Sequence, residues 1–128
     1  MVYNYTDFKD LSAYKRAFKQ GCEIFDLIIS FPKSEQYSLT DQIRRSSRSV
    51  CANLAEAYRK RDYQRHFLLE LTGCLGENSE TSVWLDFAFH CKYIDTEIYN
   101  KQIEQNIEVG KLLSHMYNNP DKYGVTSL

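Results

Sequence analysis

Glycine and proline are scarce in this 128-residue chain, with five of the first and two of the second. That scarcity excludes a turn-rich β sandwich, a collagen-like repeat and a long disordered tail. No apolar run approaches the ~20 residues that a membrane-spanning helix needs. The opening MVYNYTDFKDLSAYKRAFKQ has neither the apolar stretch nor the small-residue cleavage site of a secretory leader. A single cytoplasmic domain over residues 1–128 is therefore expected, long enough to bury a core without staples.

Catalytic and metal signatures are missing as well. No P-loop, GxGxxG, GxSxG or HExxH is present. Cys22, Cys51, Cys74 and Cys91 form no CxxC pair, and each lies in an apolar helical pattern, where a reduced thiol acts as a small hydrophobe. Di-iron bundles use Glu-x-x-His, but the residues three before His66, His90 and His115 are Tyr63, Phe87 and Leu112. No enzyme activity, cofactor, metal or small-molecule substrate is expected.

What is present is helical periodicity. Apolar residues recur at three- and four-residue spacing in four segments, about 11–31, 39–60, 62–92 and 96–118. In the first, Tyr14, Ala17, Phe18, Gly21, Ile24, Phe25, Ile28 and Phe31 share a face, Ser12 is placed to cap, and Pro32 ends the run. Ser38 or Thr40 is placed to cap the second, Asp62 the third and Asp95 the fourth; the tail after Pro120 is expected to fray. The fourth presents Ile98, Ile103, Ile107, Gly110, Leu113 and Met116 or Tyr117 inward. Short connections make an all-α, antiparallel up-down-up-down four-helix bundle the simplest packing. The third segment is apolar on two faces, Phe67, Leu71, Cys74 and Leu85 on one and Leu68, Leu75, Trp84 and Phe87 on or near the other. One bundle core needs a single stripe, so the surplus predicts burial between copies. Ten Tyr, seven Phe and one Trp point the same way. Gly73 and Gly76, inside that third segment, suggest close packing.

The formal net charge of −1 conceals segregation. Residues 44–66 carry seven basic side chains against two acidic ones, whereas residues 67–128 carry four against nine. Such blocks create local fields that the total does not reveal.

The stretch from Phe31-Pro32 through Tyr37, Leu39, Gln42, Arg44-Arg45 and Asn53-Leu54-Ala55-Glu56 to Gly73, Leu75, Glu77, Glu80 and Thr81 resembles the bacterial 23S rRNA intervening-sequence protein family. Ala57, Arg48 and Asn78 depart from that family's pattern. The resemblance, over about residues 8–118, implies a four-helix bundle, a homo-oligomer (typically a homopentamer) and no established enzymatic activity. It also implies a more distant similarity to accessory proteins of diversity-generating retroelements, which bind nucleic acid.

Two constellations are candidate sites. Arg44, Arg45, Arg48, Arg59, Lys60, Arg61 and Arg65 could bind RNA or DNA phosphates, because guanidinium forks match phosphate oxygens and each contact releases counterions. Equally, they could pair with the acidic third and fourth segments, within a subunit or across a contact between copies. Asn53, Glu56, Glu77, Asn78, Glu80 and Thr81 fall in apparently buried register, expected as a structural polar network. A metal or acid-base site built on Glu56, Glu77 and Glu80 is the other reading. Together these features predict a non-enzymatic homo-oligomeric scaffold that binds RNA or DNA through the arginine-rich second helix and its corner. The alternative is a protein-interaction scaffold whose arginines form subunit contacts, with no nucleic-acid binding.

Overall fold

The computed structural model describes residues 7–126. Four helices carry the fold: α1 (Ser12–Ile28), α2 (Leu39–Arg59), α3 (Gln64–His90) and α4 (Thr96–Asn118). Short 3₁₀ turns occupy Phe8–Asp10, Lys33–Glu35 and Pro120–Tyr123, and no strand occurs among the described residues. Each helix packs on the next, and α4 returns to α1. Hydrogen-bonded pairs give the sense of each packing. Between α2 and α3, Ser46 meets Thr81 while Lys60 meets Glu70. Between α3 and α4, Asn78 meets Asn106 while Asp86 meets Tyr99. Numbers rise on one helix as they fall on the other, so α3 runs antiparallel to both α2 and α4, as the short connections predict.

The helix ends differ from expectation in instructive ways. The α1 helix stops at Ile28 rather than 31, because the chain tightens before Pro32: Ser30 and Phe31 donate to the carbonyls of Leu27 and Ile28, three residues back. Ser12 lies inside α1, and the capping position belongs to Leu11, which has no side chain to cap with. Ser38 occupies the α2 cap without a side-chain bond; the Glu35 carboxylate accepts from Leu39 N–H instead, at 3.3 Å. Thr40 Oγ1 is buried and unpaired. Asp62 does not cap α3, which starts at Gln64 after a turn closed by Tyr63 N–H on the Lys60 carbonyl. Asp95 does cap α4, accepting from Ile98 N–H at 2.8 Å. The tail is not frayed through Thr126: Tyr123 and Val125 are buried, Tyr123 Oη lies 2.7 Å from His115 Nδ1, and Thr126 N–H donates to the Arg61 carbonyl. Ser127 and Leu128 lie outside the described residues.

The apolar interior falls into two clusters. One, at the α2–α3 corner, includes Leu54, Phe67, Leu71, Val109, Leu113 and Met116; the other, at the opposite end, includes Ile24, Ile43, Leu85, Ala88 and Ile94. Full burial of one such large side chain contributes roughly 1.5–3 kcal/mol. On α3, Phe67, Leu71, Cys74 and Leu85 face this interior as expected, with Leu68, Leu75 and Trp84 half-buried and Phe87 exposed. On α1 the inward face is Ala13, Ala17, Gln20, Ile24 and Ile28; Phe18 and Phe25 point outward. On α4 it is Gln102, Asn106, Val109, Leu113 and Met116, with Ile107 exposed. The cysteines divide too: Cys74 is buried and Cys51 half-buried, but Cys22 and Cys91 are exposed. Gly76 has open space where a side chain would stand, so it packs against nothing within the subunit.

Candidate functional site

The seven basic residues of the second helix and its corner do not act as one group. Arg45 leans toward α3 and grips two carboxylates, Glu77 at 3.0 Å and Glu80. Burial alone would raise the Glu80 carboxyl, but hydrogen bonds from Arg45 and from the Trp84 indole hold it below its ordinary range. Lys60 pairs with Glu70 at 2.8 Å. Arg61 is built into the corner: its Nε donates to the Tyr58 carbonyl at 2.8 Å, its Nη1 donates to the Tyr123 carbonyl, and its guanidinium lies 3.6 Å from the Tyr58 ring centroid. These three hold α2, α3 and the tail together.

The other four face outward. Arg44 pairs with Asp41 at 2.9 Å, an exposed bond one turn away on its own helix. Arg48, Arg59 and Arg65 are exposed, and no carboxylate of a described residue lies within ion-pair distance of them. At 3.6 residues per turn, Arg44, Arg48 and Arg59 fall within ~60° of one another on α2, spread over about 22 Å of its length. Of this stripe, Arg48 lines a groove of about 630 Å³ between α1 and α2, together with Tyr14, Phe18, Phe25, Cys51, Ala52, Ala55 and Asp26. The Arg48 guanidinium stands 5.8 Å from the Phe25 ring centroid. Arg65 lies in the first turn of α3, beside the Tyr63–His66 ring pair.

The polar residues form a belt around the middle of the bundle, at the level where the two apolar clusters part. Every helix contributes: Gln20 from α1, Ser46 and Ser47 from α2, Asn78 and Thr81 from α3, Gln102 and Asn106 from α4, all buried. Ser46 and Thr81 hydroxyls lie 2.8 Å apart. Gln20 donates to the Gln102 carbonyl at 2.8 Å, and Gln102 donates in turn to Glu23. Asn78 and Asn106 each donate to the other's main-chain carbonyl. Gly110 leaves the space this requires, since a Cβ there would stand 3.3 Å from Asn78 Nδ2.

Of the expected network, Asn78 and Thr81 lie in this belt. Glu77 and Glu80 lie at its edge, turned to Arg45. Asn53 is half-buried, its amide 3.6 Å from where a Cβ on Gly73 would be, and Glu56 is exposed outright. Glu56 sits two residues after the buried Leu54 on α2, about 200° around the helix, which turns it away from the interior. Gln20, Ser46, Ser47, Gln102 and Asn106 complete the belt without having been singled out for it. Their signal was a polar residue on each apolar stripe at matching height in an antiparallel bundle. No group of three or more His, Cys, Asp or Glu among the described residues is arranged to hold a metal ion. No described helix is long and apolar enough to cross a membrane.

The residues that carry the family resemblance therefore meet in space, the Arg44-Arg45 run of α2 lying against the Glu77-x-x-Glu80-Thr81 run of α3. A crystal structure at 1.70 Å of a protein from Bacteroides thetaiotaomicron VPI-5482, described as of unknown function and from the S23 ribosomal protein family, is similar throughout. The two agree with a TM-score of 0.76 at 25% identity, over 86% of this chain and 98% of that one. Comparison with curated proteins gives no match. A family model described as 23S rRNA-intervening sequence protein matches residues 9–115, the four helices almost in full. The chain belongs to the 23S rRNA-intervening sequence protein family.

Proposed function

We propose that this protein is a non-enzymatic, self-associating scaffold that binds RNA or DNA phosphates through Arg44, Arg48 and Arg59 on α2 and Arg65 at the corner. One observation carries the reading: α3 carboxylates and main-chain carbonyls engage Arg45, Lys60 and Arg61, while Arg48, Arg59 and Arg65 remain exposed with no described carboxylate partner. Arg44 adds a fourth cation, paired with the exposed carboxylate of Asp41, and such surface pairs contribute ~0–1 kcal/mol, little barrier to exchange for a phosphate. Several forked cations along one edge suit a polyphosphate chain. Self-association is supported by the outer face of α3, where Leu69, Val83 and Phe87 are exposed at helical spacing around Gly76. Five copies, the number implied by the family resemblance, would repeat the arginine stripe around a ring.

The test is fluorescence anisotropy with a labelled RNA at 50 and 200 mM salt. Binding is expected to fall steeply with salt and to weaken when Arg48 and Arg59 become Ala, with Arg45→Ala changing it less. Absence of binding at 50 mM salt sinks the nucleic-acid part. Arg45 and Lys60 favour a second reading, a protein-interaction scaffold without nucleic acid, because these two cations already serve packing. That reading predicts a native assembly that Leu69→Glu dissociates and no response to RNA.

A further inference from the structure

The arginine stripe does not border a flat surface. Beside it runs the α1–α2 groove, and its far wall is aromatic: Phe18 is 54% exposed and Phe25 47%, although each lies on a helix that has an apolar interior available. Tyr14 and Phe18 rings stack at 5.9 Å with 20° between their planes, so the wall presents a supported ring surface rather than isolated side chains. Phe18 and Phe25 are seven residues apart, ~10.5 Å along the helix axis, or about three 3.4 Å stacking steps. Across the groove, Arg48 stands against Phe25 with its guanidinium free of any described carboxylate. Ala52 and Ala55 keep the α2 wall low.

Cations along one lip and exposed rings along the other match the two halves of an unpaired nucleotide, phosphate and base. Duplex bases are stacked on each other and closed to such rings, whereas the bases of a single strand are free to stack on them. We infer that the α1–α2 groove takes single-stranded nucleic acid, with phosphates along Arg44, Arg48 and Arg59 and bases on Phe18 and Phe25. The inference rests on the phosphate-binding reading above and adds the class of strand. The three arginines of this face outnumber Asp26 in the groove lining and Asp41 beside Arg44, which favours a polyanion, and the rings select an unpaired one. Preference among bases should be slight, because every base has a face to stack.

The experiment measures anisotropy with a labelled twelve-nucleotide oligothymidylate and an equally long labelled duplex, each titrated with the full chain at two salt concentrations. The wild-type chain should bind the single strand about tenfold tighter than the duplex, or more. Phe18→Leu with Phe25→Leu should erase that preference, leaving the salt slope unchanged. Both rings are exposed, so thermal unfolding of the double variant confirms that the fold stands. Arg48→Gln should weaken both ligands and lower the salt slope by about one. Equal binding of both ligands, unchanged by the Leu substitutions, overturns this inference and leaves the phosphate reading in place. No binding of either overturns both. A wild-type assembly that ignores the single strand and falls apart on the Leu substitutions assigns the groove to contact between copies and overturns the inference.

Discussion

Asn78 and Asn106 each satisfy a main-chain carbonyl of the facing helix: Asn78 Nδ2 donates to Asn106 O at 3.0 Å, and Asn106 Nδ2 donates to Asn78 O at 2.8 Å. Replacing one member strands buried polar atoms of the other. Asn106→Leu should therefore cost ~1–3 kcal/mol in urea unfolding. Asn78→Leu with Asn106→Leu should cost less than the sum of the two single changes, since paired removal leaves fewer unsatisfied groups. Additive costs in that double-mutant cycle would show that the two side chains act separately.

Arg45 and Arg59, toward opposite ends of α2, should behave differently. Arg45 joins α2 to α3, so Arg45→Ala should lower stability by up to ~1 kcal/mol. Arg59→Ala, with no described carboxylate to lose, should stay within ~0.5 kcal/mol. Chemical denaturation of the two variants checks the contrast.

Acid should loosen the α1–α4 contact. Burial would raise the Glu23 carboxyl, but hydrogen bonds from Gln105 and Gln102 and the charges of Lys101 and Lys19 bring it below its ordinary 4.5. A carboxyl whose value is depressed on folding contributes stability that is complete above pH 4.5 and lost as pH falls through the folded value. Glu23→Gln should flatten the stability profile below pH 4.5 while leaving its shape near neutrality unchanged. A profile identical to wild type in acid would show that Glu23 does not contribute.

Thiol labelling should separate the cysteines by their exposure. Burial pushes the Cys51 thiol up to about 11 and the Cys74 thiol up to about 12, and the thiolate is the reactive form. Cys22 and Cys91 are exposed. A thiol reagent at pH 8 should modify Cys22 and Cys91 rapidly, the half-buried Cys51 more slowly, and Cys74 only as fast as the chain unfolds, as followed by intact mass.

Mass measurement of the native assembly tests the exposed α3 face. Leu69 is 68% exposed, and Leu69→Glu or Phe87→Glu should reduce the assembled mass without lowering the helical signal. A wild-type chain of 15.1 kDa in solution would remove self-association from the proposal.

The bundle was legible because the three-and-four spacing of apolar residues survives in every helix. Which flank of a stripe turns inward was less so. On α1, Phe18 and Phe25 are far more apolar than Gln20, yet Gln20 is the buried one, because Gln102 offers it a carbonyl at matching height. Hydrophobicity ranks side chains singly, whereas a buried amide depends on a partner 82 residues away. Two of the expected caps failed for the same reason in miniature: Ser12 and Asp62 have the right chemistry one position from where the backbone needs it. The arginine cluster was visible as composition. Its division into gripped and open members depended on where the α3 carboxylates fall, which only the packed helices decide.

The belt has a consequence for damage. Amides and hydroxyls whose partners are fixed cannot slide to fill a hole as methyl groups can. A void cut at Phe67 should be confined to its own half of the interior, and amide hydrogen exchange should quicken there while the Ile24–Ile43 end stays slow. Such a molecule would fail in compartments, like a hull divided by a bulkhead.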